Sequence, residues 1–221
     1  MIKAVFFDMD GVIFNSMPRH AKAWEMAMHK YGFNFNAYDA YLNEGRTGAS
    51  VINECCENTY HRQATQQEIE QIYHAKTEAF NSFGMPEPIE GISDVLHFLK
   101  EHGIQIWIVT GSGQHSLMER LDKHFPAIFS RERMITAYDV KIGKPDKEPY
   151  YKALLKSGVE AEEAIVVENA PLGVKSGKAA GLFTIGVNTG ILDPKVLKEA
   201  GADLVLPDMK QLLEYLRDLK I

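Results

Sequence analysis

The first structural commitment of this chain is an unbroken apolar run that ends in two carboxylates: Ala4-Val5-Phe6-Phe7-Asp8-Met9-Asp10-Gly11-Val12. An apolar run without polar alternation suits a central strand of a parallel sheet, because helices cover both faces of such a strand. Asp8 and Asp10 are two residues apart, so in extended backbone they share one pocket. Two acids so placed repel each other unless a cation or a proton sits between them. Gly11 lets the chain turn away at once. Together these features point to metal-assisted chemistry at the end of a first strand. An EF-hand also contains Asp-x-Asp, but its glycine stands at loop position six and its glutamate at twelve. Here the glycine is fourth and the twelfth residue is Arg19, so the calcium-loop reading fails.

The remaining sequence supplies a sheet for that strand. Residues 18–31 read as an amphipathic helix, with Ala21, Trp24, Ala27 and Met28 on one face and Gly32 as its stop. Residues 37–82 read as mostly helical, broken at Glu44-Gly45-Arg46-Thr47-Gly48. From residue 90 the pattern alternates. Helices are predicted at 92–101, 113–124, 148–156, 171–180 and 209–219, and strands at 104–109, 134–136, 164–167, 183–187 and 204–206. Such alternation implies an α/β fold, a doubly wound, Rossmann-like parallel sheet. The expected organisation is a discontinuous core of residues 1–15 and 86–221 with a helical cap inserted at 16–85. Hinges are expected near 15–17 and 83–88, where Gly84, Pro86 and Pro88 supply linker chemistry.

Composition narrows the setting. The formal charge is −6 with no long basic run, which argues against a nucleic-acid partner. No stretch is long and apolar enough to span a membrane, and the N-terminus lacks a cationic-then-apolar signal pattern, so a cytoplasmic location without a membrane partner is expected. Cys55 and Cys56 are adjacent in a helical stretch and read as small buried side chains in a reducing compartment rather than as a redox pair or metal ligands. Monomer and homodimer both stay open.

Open parallel sheets bind ligands beyond the carboxyl ends of their strands. Asp8 and Asp10 follow the first strand, and Thr110-Gly111-Ser112-Gly113 follows the second. Lys141 and Lys144-Pro145 follow the third, and Glu168-Asn169 the fourth. Phosphoryl transfer needs an in-line nucleophile, positioning and charge neutralisation. Asp8 suits the nucleophile and Asp10 the acid that protonates the leaving oxygen and then activates water. Magnesium prefers oxygen ligands; Asp8, the Asp10 carbonyl and Asn169 supply them, with Glu168 in the same set. Thr110 and the amides of Gly111 and Ser112 suit phosphate oxygens, and Lys144 suits neutralisation of the transferring charge. A rival reading takes Gly111-Ser112-Gly113-Gln114-His115-Ser116 as a dinucleotide fingerprint, but its third glycine is replaced by Ser116, and no acid stands clearly at the end of a following strand.

Asp8-x-Asp10-Gly11-Val12, Thr110, Gly143-Lys144-Pro145 and Glu168-Asn169-Ala170-Pro171-Leu172-Gly173, in this order, resemble the haloacid dehalogenase superfamily along the whole chain. The helical insert resembles the cap of its β-phosphoglucomutase and phosphonatase-like branch. That resemblance implies a three-layer α/β core with a mobile cap, magnesium, and an aspartyl-phosphate intermediate. Relatives commonly have Glu-Asp where this chain has Glu168-Asn169, which implies weaker metal binding. The cap residues expected at the substrate are His20, Glu44, Arg46, Thr47 and Lys76. His20 and Trp24 match the first cap helix of relatives, and Lys76 stands where relatives place a lysine. The 44–48 loop resembles their specificity loop. Mutases of the branch carry Ser-Arg-Glu after that loop glycine, whereas this chain reads Thr47-Gly48-Ala49. The expected activity is therefore hydrolysis of a small phosphorylated metabolite or of pyrophosphate, given the likeness of these motifs to pyrophosphatase-like members. A β-phosphoglucomutase and a non-catalytic phosphate-binding module are the alternatives.

Overall fold

A computed structural model of the chain describes residues 1–112 and 117–219. Six strands form one sheet: β1 (Ala4–Phe7), β2 (Gln105–Val109), β3 (Met134–Ile135), β4 (Ala164–Glu168), β5 (Phe183–Val187) and β6 (Leu204–Leu206). Their spatial order is β3-β2-β1-β4-β5-β6, and every neighbouring pair is parallel. β1 is central. The chain builds the β2–β3 side first and then crosses to the β4–β6 side, which makes the carboxyl end of β1 the switch point where such sheets bind ligands.

The apolar run behaves as a strand buried on both faces. Val5 and Phe7 enter one cluster with Ile106, Ile108, Ile165 and Val167. Ala4 and Phe6 enter another with Trp107, Val109 and Val166. Helices α5 (Ile92–Glu101), α6 (Leu117–His124) and α10 (Met209–Asp218) close the first cluster, and α7 (Glu148–Ser157) closes the second through Tyr150 and Ala153. Full burial of a side chain such as Phe7 contributes roughly 1.5–3 kcal/mol.

Between β1 and α5 lie four helices: α1 (Met17–Lys30), α2 (Ala37–Leu42), α3 (Gly48–Tyr60) and α4 (Gln66–Ser82). Asn36 and Thr65 start α2 and α4 with capping boxes, and Thr47 caps α3. The helices share a cluster of their own, built on Met28, Phe33, Phe35, Val51, Ile52 and Ile72, which Leu192 joins from the segment after β5. Cys56 is buried in this cluster and Cys55 packs at its margin; both are free thiols. The two connecting segments pair with each other. Asn15 N–H donates to the Glu87 carbonyl at 2.8 Å, and Ile89 N–H donates to the Ile13 carbonyl at 2.9 Å.

Three details depart from the sequence reading, and a fourth expectation lies partly outside the described residues. β1 ends at Phe7, before the carboxylates, because the Met9 carbonyl gathers the amides of Val12, Ile13 and Phe14 into a tight turn. The long insert breaks a second time, at 61–65, where His61 adopts a left-handed conformation at φ 55°. A further helix, α9 (Pro194–Glu199), precedes β6, started by Asp193 as its cap. The helix expected at 113–124 is seen as α6 from Leu117; residues 113–116, and with them most of the glycine-rich fingerprint, lie outside the described residues. Among the described residues no helix is long and apolar enough to cross a membrane.

Candidate active site

Lys144 organises the centre. It reaches in from the segment before α7 and is buried, with 5% of its surface exposed. Its Nζ donates to Asp8 Oδ1 at 2.5 Å, to Glu168 Oε1 at 2.6 Å and to the Val109 carbonyl at 3.0 Å. One ammonium thus ties together the ends of β1, β2 and β4. Burial alone would drive the lysine towards neutrality, but Asp8 and Glu168 outweigh it and hold its pKa above the ordinary lysine value. For Asp8 burial wins: it pushes the carboxyl up despite Lys144, and Glu168 and Asp10 push in the same direction. Asp8 Oδ2 makes no hydrogen bond among the described residues.

Glu168 faces this cluster but spends both oxygens inside the protein. Oε1 accepts from Lys144 and, at 2.7 Å, from the buried Tyr150 hydroxyl. Oε2 accepts from the amides of Asn169 and Ala170 at 3.2 and 3.4 Å. Glu168, expected in the metal set, is placed here with its oxygens engaged by Lys144, Tyr150 and the start of α8 (Pro171–Ala179). A Cβ on Gly173 would run into this carboxylate, which explains a glycine in the first turn of that helix.

Asp10 turns the other way, towards α1. Ser16 Oγ donates to its Oδ1 at 2.6 Å, and His20 Nε2 lies 3.5 Å from the same oxygen. These partners, with Arg120, overcome burial and hold Asp10 below the usual carboxylate range. Lys76 Nζ sits 3.0 Å from His20 Nδ1. A charged lysine can only donate, so Nδ1 accepts and the ring proton resides on Nε2, aimed at Asp10. His20 stacks on Phe80 with ring centroids 4.1 Å apart, which fixes the ring plane.

Asn169 bridges core and insert. Its Nδ2 donates to Glu44 Oε2 at 3.0 Å. Asn169 Oδ1 and Glu44 Oε1 are both buried with no hydrogen-bond partner. Gly11 permits this approach, since at φ 80° a Cβ would collide with the Asn169 amide. Burial, with Asp8, Glu168 and Asp10, pushes Glu44 well above its ordinary value. Four carboxylates therefore meet a single directly bonded ammonium, and two hidden oxygens lack a donor. Such an excess of hard oxygen donors fits a divalent cation. Among the described residues no three His, Cys, Asp or Glu side chains form a metal-binding group by themselves. A set made of the Asp8 carboxylate, the Asp10 carbonyl and the Asn169 amide oxygen needs only one of those side chains.

Other expected residues are placed as follows. Thr110 is buried at the end of β2 and accepts the Ser112 amide at 3.0 Å on Oγ1. The Ser112 amide, expected at phosphate oxygens, donates to Thr110 here, while no hydrogen bond of the Gly111 amide appears among the described residues. Thr47 and Gly45 line a cavity of about 70 Å³ together with Thr110, Gly111 and Lys144, so the 44–48 loop lies over the strand ends. A larger hollow of about 320 Å³ opens between α1 and α4, and none of these residues lines it. Arg46 is not brought to the centre. Its Nη1 pairs with Glu54 at 2.8 Å and reaches Ser50 at 3.3 Å, both on α3. Sequence reasoning missed Tyr150, Ser16, Arg120 and Thr189, whose Oγ1 donates to the Gly11 carbonyl at 2.5 Å. Tyr150, Ser16 and Thr189 each contact a motif residue, and Arg120 packs on Phe14 beside one, from positions without a motif of their own.

A family model described as haloacid dehalogenase-like hydrolase matches residues 2–181. The chain belongs to that family and is an enzyme of its phosphatase type. A solved structure from Bacteroides vulgatus, provisionally named a β-phosphoglucomutase, is 48% identical with a TM-score of 0.94, covering 99% of this chain and 89% of that one. A phosphorylated carbohydrates phosphatase of Thermotoga maritima is 28% identical over 99% of this chain and all of its own length. A provisionally named pyrophosphatase of Caldanaerobacter subterraneus is 26% identical over 98% of this chain and 95% of its own. The expected superfamily and fold are thereby established.

Proposed function

We propose that this protein is a magnesium-dependent phosphohydrolase that acts on a small phosphorylated metabolite or on pyrophosphate through a phosphoryl group carried on Asp8. The observation behind this reading is the convergence of Asp8, Lys144 and Glu168 within 2.6 Å contacts at the switch point of the sheet, beside the unpartnered Asn169 oxygen. Asp8, the Asp10 carbonyl and Asn169 would hold magnesium, which would supply positive charge against the transferring group.

An oxygen of Asp8 attacks phosphorus, and the bond to the leaving oxygen breaks. Asp10, presented by Ser16 and His20 and ionised in the free site, takes up a proton as the negative phosphoryl group binds beside it and passes that proton to the leaving oxygen. Water then attacks the phosphorus on Asp8, Asp10 takes the water's proton, and the Asp8–phosphorus bond breaks to release phosphate. Lys144 keeps Asp8 in place and offsets charge throughout, the Thr110 hydroxyl and the Gly111 amide receive phosphate oxygens, and Glu44 and Thr47 close the site from the insert. Closure of the insert over the core excludes bulk water from the intermediate.

Hydrolysis of p-nitrophenyl phosphate and pyrophosphate with magnesium tests this reading. Activity should vanish with EDTA and fall by at least about a thousandfold in Asp8→Asn. Activity that survives either change would falsify it. The relative provisionally named a β-phosphoglucomutase favours a mutase as second reading. Arg46 counts against it, because the loop cation that a second phosphate requires is held by Glu54. Conversion of β-glucose 1-phosphate to glucose 6-phosphate without release of phosphate would reverse that preference.

A further inference from the structure

Three cations are buried among the described residues: Lys76, Arg120 and Lys144. Lys144 is bonded to Asp8 and Glu168, and Lys76 to His20. Arg120 has no such partner. It stands on the inner face of α6 with 7% of its surface exposed. Its Nε is hidden and unpaired. No carboxylate lies within ion-pair reach of it, and no hydrogen bond leaves its guanidinium, among the described residues. A buried guanidinium with unmet donors is expensive to maintain.

Its surroundings say where it faces. The guanidinium carbon lies 5.2 Å from the centroid of the Phe14 ring. Phe14 bridges to Asp10 through the backbone, and its carbonyl accepts from Ser16, which also holds the Asp10 carboxylate. The charge of Arg120 is felt by both Asp10 and His20. The Phe14 contact thus sets Arg120 on the side of Asp10, the side from which the group that takes the Asp10 proton would leave.

We infer that Arg120 is a substrate-binding residue that receives a second anionic group, a phosphate or a carboxylate, on the leaving portion of the substrate. The inference rests on the phosphohydrolase reading and narrows it to doubly anionic substrates. Arginine suits the task because its planar fork matches either oxyanion with two parallel hydrogen bonds. An anion there would also supply the acceptors that the side chain now lacks.

The test uses the whole protein with magnesium and three substrates. Pyrophosphate offers a second phosphate, phosphoglycolate a carboxylate, and p-nitrophenyl phosphate neither. The wild type should prefer one of the two doubly anionic substrates by kcat/KM, and that preference tells which group is bound. Arg120→Gln should lose at least about thirtyfold on the preferred substrate and less than about threefold on p-nitrophenyl phosphate, since a charged hydrogen bond is removed only where an anion was bound. Arg120→Lys, which keeps the charge but not the fork, should fall between and is the variant to read if Arg120→Gln does not fold. Equal losses on all substrates, no loss on any, or a wild type that favours p-nitrophenyl phosphate overturns the inference. Those results leave the phosphohydrolase reading standing, whereas a wild type that hydrolyses none of the three, or an active Asp8→Asn, removes both.

Discussion

At the scale of single residues, the asparagine in the fourth motif has a structural reason. The two ends of the Asn169 amide differ: Nδ2 donates to Glu44, and Oδ1 is buried without a partner, free for the proposed cation. An aspartate would match the metal better but would set a carboxylate against Glu44 in a pocket already rich in acid. Asn169→Asp should therefore lower the magnesium concentration for half-activation and, at saturating magnesium, reduce kcat/KM about tenfold, the worth of one charge-assisted hydrogen bond. Adding Glu44→Gln restores a donor–acceptor pair with the roles exchanged, so the double variant should recover most of that loss. Steady-state kinetics across a magnesium titration checks both; a double variant no better than Asn169→Asp would show that the bridge has no functional weight. The residues proposed for the metal were chosen from residue type and order. The bridge was not legible that way, because it joins positions 44 and 169, and nothing in a linear pattern says which insert carboxylate reaches which motif amide.

Between elements, the packing of α4 on α1 carries a charge into an apolar seam. Lys76 lies 5.0 Å from the Phe80 ring centroid and 5.6 Å from that of Trp24, and it bonds to His20. Burial pushes its pKa down to about 8, only partly opposed by Asp10. Below pH 8 both folded and unfolded chains hold the proton, and the folded state bears the full cost of a buried ammonium. Between about 8 and 10.5 the unfolded chain binds more protons than the folded one, so this residue's contribution grows more favourable as pH rises. Lys76→Met should thus be more stable than the wild type below pH 8, with the gap shrinking towards pH 10. Urea titrations at several pH values measure it; a gap independent of pH would mean that Lys76 keeps an ordinary lysine pKa. The helices themselves were legible from apolar spacing, Gly32 and the 44–48 break. The stop at His61 was missed because a left-handed histidine leaves no glycine or proline to mark it.

For the whole molecule, the sheet was the most legible part. Its strands are short apolar runs whose neighbours are dictated by alternation, and the motif order then fixed where their ends meet. The relation of insert to core was less legible, since it depends on contacts far apart in sequence. Leu192, after β5, completes the apolar cluster of the four inserted helices and is 4% exposed. Beside it, Gly190 lies so close to Tyr41 on α2 that a Cβ there would collide with the ring. The insert therefore leans on the same segment whose Thr189 holds the Gly11 carbonyl. An insert that swings open on its paired linkers must either carry this segment along or expose Leu192, and the second route costs roughly 1.5–3 kcal/mol of lost burial. Leu192→Ala removes most of that cost while leaving every polar contact of the site intact. The variant should lose about 2–4 kcal/mol of global stability in urea. It should also be cleaved faster in the 83–88 linker by a protease and show a raised KM with kcat within about threefold of wild type, because closure is weakened while the chemical groups are unchanged. Equal cleavage rates and an unaltered KM, alongside the loss of stability, would mean that the insert and this segment move as one body.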